Sequence, residues 1–387
     1  MEKPLFGSRI TGARTYLSAV VGACALTMAS FGPAAAETRT FAVGWFSLAT
    51  NSTENDCGPG GPNPGVQIQY QKSLADLGYT PKQIEELVKK AQGGEGGEMF
   101  DILRNRGRMD GKPVSPYIYP ATSVDPKWKA ITGKQAYGFN LDGKGEATKN
   151  GFEDPETREK GVNNELYRAL GCYISMRGSL EGRPTYWAWA WGQLKDSQPA
   201  WLITVDGADL TKDGPVTVTF DRALEHLKSN VDGSPRADAT YRYDSDPRSH
   251  NSYKGEIKNG VVTISEHGDF RMLQNPLVAP EFKLAKAHLR MKFKPDGSLT
   301  AFIGGYQPWS DLYFGFASGG IGIEQCVTGD IPGLYWLMRK HADADPDPKT
   351  GQNASISATY YIEAVPVFAA HPVAPKVAGD GGDAGGR

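Results

Sequence analysis

The sequence predicts a mainly β protein. Residues 176–368 form an antiparallel β-sandwich core, and residues 37–175 form an irregular, partly helical N-terminal layer laid against it. Three observations point there. Residues 287–305 alternate apolar and polar side chains at period two. Gly and Pro crowd the first half, as in Cys57-Gly58-Pro59-Gly60-Gly61-Pro62-Asn63-Pro64. No strand–helix unit repeats, which sets aside a parallel nucleotide-binding sheet.

The chain of 387 residues opens with the three zones of a cleavable signal peptide over 1–36. Lys3, Arg9 and Arg14 precede an apolar run over 16–28, and Ala34-Ala35-Ala36 supplies small residues before Glu37. The apolar run falls well short of the roughly 20 residues that cross a bilayer as a helix, and no later stretch comes close, so no membrane span is expected. Val21-Gly22-Ala23-Cys24 is a competing lipoprotein-type site, but the apolar stretch before Cys24 is short. The expected product is a soluble periplasmic or secreted chain starting at Glu37.

The formal net charge is −2, and removing 1–36 takes away more basic than acidic residues. With no long basic run to neutralise phosphates, nucleic acid is not an expected partner. Cys57, Cys172 and Cys326 remain after cleavage. An odd count in an oxidising compartment predicts one bridge and one free thiol. All three pairings stay open, with Cys57 favoured as bridged because an exposed thiol in a Gly/Pro-rich loop is a liability. There is no Cys-x-x-Cys-His and no paired Cys-x-x-Cys, so haem and structural zinc are not expected.

Along the chain, Thr80 reads as an N-cap, with Pro81 at the first helical position, Ile84, Leu87 and Val88 on one face, and Gly93 past the end. A second helix is expected over 163–173, where Leu166, Ala169, Leu170 and Tyr173 recur at helical spacing and carry Cys172 towards a buried surface. Strand alternation then appears over 215–220, 239–243, 261–264 and 355–368. The clearest strand is 287–294, where Leu289, Met291 and Phe293 share a face; it turns through Pro295-Asp296-Gly297 into a return over 298–303. Residues 331–341 read as one further helix. Residues 369–387 carry no periodicity and read as a disordered tail.

The most unusual feature is Tyr186-Trp187-Ala188-Trp189-Ala190-Trp191. In a strand, Trp187, Trp189 and Trp191 point to one side and the alanines to the other. Such a row can fill a core, stack sugar rings or form another interface. Pro184 offers a helix start that would split it. Trp309, among Tyr306, Pro308, Tyr313, Phe314 and Phe316, carries the same alternatives.

Two oxygen-rich segments suggest calcium. One holds Asp343, Asp345 and Asp347, alternating as at the opening of a calcium loop, although Pro346 and Pro348 interrupt it and no closing glutamate follows. The other runs from Asn140 and Asp142 through Glu146, Asp154 and Glu156 to Asn163 and Asn164. In both, the alternative is a solvated turn. For acid/base chemistry, Glu266, His267 and Asp269 are the densest titratable cluster, and on a continuing strand His267, Asp269 and Arg271 share a face. The motifs of serine hydrolases, phosphate loops and zinc peptidases are absent, which leaves an enzyme undecided, since glycosidases and polysaccharide lyases need no short motif.

Phe139-Asn140-Leu141-Asp142-Gly143, followed by Gly161-Val162-Asn163-Asn164-Glu165-Leu166-Tyr167-Arg168-Ala169-Leu170-Gly171-Cys172, resembles a pattern in a group of exported bacterial proteins. There an Asn-Leu-Asp-Gly turn precedes a Gly-Val-Asp-Asn-Gln helix start that ends in Leu-Gly-Cys. Here Asn163 and Glu165 stand in place of Asp and Gln. The resemblance implies export and brings no activity with it.

The functional expectation is an exported binding or accessory protein with a glycan or envelope partner. The alternatives are a polysaccharide hydrolase or lyase on the same sandwich, and a structural envelope-interaction protein.

Overall fold

The computed structural model describes residues 36–177, 184, 199–264, 267–273 and 281–371. Residues 1–35 of the segment 1–36 read as a signal peptide, the tryptophan row 187–191, Glu266 and residues 372–387 lie outside the described residues.

Eight antiparallel strands build the core. In chain order they are β1 (Glu37–Leu48), β2 (Pro199–Gly207), β3 (Gly214–His226), β4 (Asn251–Lys258), β5 (Val261–Ile264), β6 (Glu281–Phe293), β7 (Leu299–Pro308) and β8 (Asn353–Ala370). Each pairs with the next, and β1 pairs with both β2 and β8. The sheet therefore closes on itself as a barrel, which corrects the sandwich expectation.

The reason is physical. Period-two alternation reports only that one face of a strand is buried, and that face can look at a second sheet or at the lumen of its own barrel. The closing strand gave no such signal. From Phe41 to Leu48 every residue of β1 is buried, on both faces, because the lumen takes one face and overlying chain much of the other. That strand comes from the stretch read as irregular.

The lumen is filled by rings. Phe46 stacks on Tyr360 at 5.0 Å and meets Trp201 and Phe282 edge-on, each at 5.3 Å. Phe270 meets Phe220 at 5.1 Å and Phe282 at 5.9 Å. Edge-to-face packing of this kind adds roughly 0.5–1.5 kcal/mol per pair beyond area burial.

Connections cover the outside. The chain between β3 and β4 lays Leu227, Ala239 and Tyr241 over Ala42, Ala200 and Leu202. A short strand, Thr240–Arg242, pairs in parallel with the end of β8, which runs to Ala370, two residues into the stretch expected to be disordered. Residues 135–164 cover β7, where Phe139 and Leu141 pack on Tyr306.

Helices continue the same core. Helix α1 (Val66–Asp76) leads to α2 (Pro81–Gln92), which has Thr80 at its N-cap, Pro81 at its first position and Gly93 at its end, as the sequence predicts, and in which Gln83 completes a reciprocal capping box with Thr80. Then come α3 (Gly97–Arg104), α4 (Glu165–Leu170) and α5 (Ile174–Arg177). The expected helix over 163–173 is thus shorter, starting at the N-cap Asn164, whose side chain accepts the Tyr167 N–H. Between β7 and β8 lie α6 (Trp309–Ala317), α7 (Gly320–Val327) and α8 (Ile331–His341), the last with the predicted bounds.

Cys57 and Cys172 form a disulfide across 115 residues of sequence, tying the Gly/Pro-rich loop to the end of α4. Among the described residues, no helix is long and apolar enough to cross a membrane.

Candidate functional site

The titratable cluster predicted from sequence does not assemble. The strand that should carry it begins at Phe270, so His267 and Asp269 fall in the irregular chain before it and lose the shared face. His267 is exposed, and its ring lies parallel to that of His288 at 3.7 Å. Asp269 approaches the Lys286 N–H at 3.4 Å, and no hydrogen bond joins it to His267 among the described residues. Burial lowers the His288 imidazole below its ordinary value, with the His267 charge adding to the effect. Its Nδ1 donates to the Lys286 carbonyl at 2.8 Å.

Neither calcium segment gathers ligands. Asp347 Oδ1 accepts the N–H groups of Lys349 and Thr350, and Asp343 Oδ1 turns inward to the Ser357 N–H at 2.7 Å. Asn140 Oδ1 accepts the Gly145 N–H, while Asp142 Oδ1 accepts from Lys144 N and from the Thr148 hydroxyl. The Asp347, Asn140 and Asp142 oxygens satisfy their own turns, as Asx residues do, and Asp343 is taken up by β8. The two segments do approach each other at Tyr306, whose hydroxyl is raised by burial and then by Asp343, Asp142 and Asp345. Among the described residues, no group of three or more His, Cys, Asp or Glu side chains could hold a metal ion.

Trp309 is buried and donates its indole N–H to the Asn353 carbonyl at 2.9 Å, so it fills core and offers no platform.

What the strands do bring together is a set of aromatic side chains on the outside of the barrel. Along β7, Leu299, Ala301 and Ile303 point to the lumen, which leaves Phe302 facing outward. On β8 Tyr361 takes the outward position beside it, and the two rings meet at 5.3 Å. On β1 the register slips between Val43 and Trp45, so the extra residue Gly44 turns Trp45 and Ser47 outward while Phe46 and Leu48 stay in. Tyr137, from the covering segment, stacks on Phe302 at 4.6 Å.

Trp45, Tyr137, Phe302 and Tyr361, with Pro184 and residues 47–50, line a cavity of about 240 Å³. The polar tips are held: the Trp45 indole donates to Ser47 Oγ at 3.1 Å, and the Tyr361 hydroxyl donates to Glu363 at 2.9 Å.

The wall behind Phe302 is charged and rigid. The Arg290 guanidinium lies 5.1 Å from the Phe302 ring and 5.5 Å from that of Phe139. It donates to the fully buried Asp154 at 3.0 Å. Burial alone would raise Asp154, but N–H donation from Thr157 and the Arg290 charge outweigh it and hold the carboxyl below its ordinary value. Asp154 also accepts the Gly138 N–H at 3.1 Å, which fixes the chain that presents Tyr137.

A second cavity, of about 550 Å³, adjoins the first through Trp45, which lines both. Its floor is Gly44, Trp45, Glu363, Ala364 and Val365 of β1 and β8. Its walls are two turns, one with Asp232, Gly233, Ser234 and Pro235 and one with Lys294, Asp296 and Ser298. The two cavities share Trp45 as a common wall, one with an otherwise aromatic lining and the other with a polar, charged one.

Sequence reasoning passed over these residues. The available signal was Phe302 and Tyr361, large aromatic side chains at positions whose neighbours two away would put them on a wet face.

Comparison with family models, with curated proteins and with solved structures finds no match to this chain.

Proposed function

We propose that this chain is an exported binding protein that takes a carbohydrate on the outer face of its barrel. The observation that carries the reading is the convergence of Trp45, Tyr137, Phe302 and Tyr361 on one cavity. Aromatic rings offer flat apolar faces to the C–H faces of pyranoses, and concave sites lined by aromatics with a few polar groups at the rim are the usual form of a small-ligand site. The ring-filled lumen leaves the outer face as the place for a ligand. Export is supported by the three-zone segment over 1–36, with the bridge between Cys57 and Cys172 in keeping with an oxidising compartment.

The test is calorimetric titration of the exported protein with neutral oligosaccharides, using wild type, Tyr137→Ala and Tyr361→Ala. Each truncation should weaken binding roughly two- to tenfold, the worth of one aromatic contact. Binding unaffected by either change, with folding checked by circular dichroism, rejects this groove. N-terminal sequencing of the exported protein should begin at Glu37.

A further inference from the structure

We propose that His267 and His288 form a proton-operated clasp, which holds the 267–269 chain against the barrel while both imidazoles are neutral and releases it when both are charged. Neither residue lines the aromatic cavity, so the clasp stands whether or not that cavity takes a sugar.

The geometry of the pair carries the inference. The two rings lie within 8° of parallel, with centroids 3.7 Å apart. Each Nδ1 meets a backbone carbonyl of β6, that of His288 at 2.8 Å from Lys286 O and that of His267 at 3.4 Å from Ala287 O. A carbonyl oxygen can only accept, so each Nδ1 carries its hydrogen and each Nε2 keeps the lone pair that takes up a proton. One proton leaves a cation against a neutral ring face, an arrangement that is favourable. Two protons put like charges in contact.

The stack is built into the sheet. The β6–β7 register shifts between Ala285 and His288, where Lys286 sits at φ +53°. At this bulge the Ala287 N–H donates to Gly268 O at 2.8 Å, and the Tyr253 hydroxyl donates to Asp269 O at 2.9 Å, so the stacked ring of His267 closes a chain already seated on the barrel. Phe139 also packs on His288, with ring centroids 5.6 Å apart. It can do so because Gly304, the β7 partner of His288, carries no side chain; a Cβ there would overlap the Phe139 ring. Burial, with the His267 charge adding to it, disfavours the His288 cation more than the Lys286 carbonyl favours it.

The surroundings supply no bound counter-charge. On β6 the neighbouring cations are Lys286, whose ammonium lies 5.9 Å from the Tyr306 ring of β7, and Arg290, which is paired with Asp154 and Glu156 of the covering segment. Asp269, on the clasped chain, turns Oδ1 towards the Lys286 N–H. Among the described residues, none of these carboxylates hydrogen-bonds to either imidazole. Because the stacked state disfavours the His288 cation, the clasp is closed above the ordinary histidine value of about 6.5 and opens as pH falls below it.

The experiment follows amide exchange in peptides covering 267–273, corrected for intrinsic exchange, between about pH 7.5 and about pH 5, together with the imidazole resonances. It uses residues 37–387 as wild type, His288→Phe and His267→Gln. Phe keeps a flat ring for His267 and takes no proton, while His267 is exposed and its replacement leaves the barrel packing untouched. Wild-type protection should fall roughly tenfold as pH is lowered, the factor that a one-unit depression of a single imidazole implies, and the two rings should titrate in separate steps. In His288→Phe the fall should shrink to less than about twofold, and in His267→Gln the His288 midpoint should rise. Protection that does not change with pH in wild type overturns the clasp. A fall in His288→Phe as large as in wild type assigns the acid sensitivity to other groups and also overturns it. So does a His288 midpoint unmoved by His267→Gln, a result that needs no folded His288→Phe.

Discussion

Arg106 donates from Nη2 to Glu324 Oε1 at 2.9 Å, with both side chains buried. The same nitrogen also donates to Asp330, whose other oxygen accepts the Trp128 indole N–H at 3.0 Å. One cation thus ties the end of α3 to α7 and to the start of α8. Two carboxylates share it, and burial raises Glu324 above its ordinary value although Arg106 opposes the shift. Ile331 N–H donates to Glu324 Oε1 at 3.0 Å, and Asp330 N–H donates to Gln69.

Removing the cation strands both acids. Arg106→Met should cost about 3–5 kcal/mol, the price of a buried charge left without its partner, while Glu324→Gln, which keeps the acceptor for Arg106 and Ile331, should cost much less. Urea denaturation of the two variants checks this. Equal and small losses would show that the cluster contributes little to stability.

Asp343 gives a pH dependence. Burial pushes its carboxyl up to about 6, against the Ser357 N–H that bonds its charged form. The folded state therefore prefers the protonated acid. Its contribution is fully present below pH 4 and is lost as pH rises through 6, an effect of about 3 kcal/mol. Asp343→Asn keeps an oxygen for Ser357 and cannot ionise. Its stability relative to wild type should rise between pH 4 and pH 7 in melts at matched salt. A flat difference across that window would place the Asp343 carboxyl at an ordinary value.

The Cys57–Cys172 bridge closes a long loop, which makes its loss expensive in the chain-entropy account, about 4–5 kcal/mol, with 2–5 kcal/mol typical for native bridges. Denaturing thiol titration of residues 37–387, prepared without reductant, should find one thiol, from Cys326. Three thiols would mean that the chain folds unbridged.

Gly44 is needed twice, as the extra residue of the β1 bulge and as the contact point of Pro235. Gly44→Val should displace the 232–235 turn, costing about 1–3 kcal/mol from overpacking, and should weaken any ligand that spans both cavities more than one confined to the aromatic end. Thermal melts and titration of the variant separate the two effects. Undiminished stability and binding would show that the turn is free to move.

The legibility of this chain in its sequence follows from which faces are buried. The N-cap at Thr80, the helix over 331–341 and the hairpin through Pro295-Asp296-Gly297 all stand as predicted, because each is fixed by local chemistry. The closure of the sheet was illegible because β1 is covered on both faces and shows no alternation. The aromatic groove was illegible for a related reason: Trp45 faces outward only because Gly44 slips the register, and Tyr137 arrives from a segment of loop. His267 and Asp269 misled because their pairing assumed a strand that starts only at Phe270. One link was half visible. The two pieces of the Asn-Leu-Asp-Gly pattern, residues 139–143 and 161–172, meet through Asn163 N–H to Phe139 O at 2.8 Å and Leu141 N–H to Asn163 Oδ1 at 3.0 Å.

The β6–β7 hairpin decides how far the barrel depends on its lumen. Sequence alternation puts Leu289, Met291 and Phe293 on one face and singles out Phe293 as the largest. The structure ranks them differently. Met291 is fully buried, flanked by Val262 on β5 and Ala301 on β7. Phe293 ends its strand and is half-buried, with the Phe41 ring at 5.8 Å and the Arg39 guanidinium at 5.3 Å from its own. Lys292 faces out and pairs with Glu156. Met291→Ala should therefore cost about 2–5 kcal/mol, and Phe293→Ala should fall below the roughly 3–5 kcal/mol of a fully buried ring. Lys292→Ala should cost no more than about 1 kcal/mol, since a solvated pair is worth little. Urea melts of the three variants give the order directly. If Met291→Ala behaves like Lys292→Ala, the lumen at that level is not packed as described, and the barrel must draw its stability from the helices and the covering loops instead.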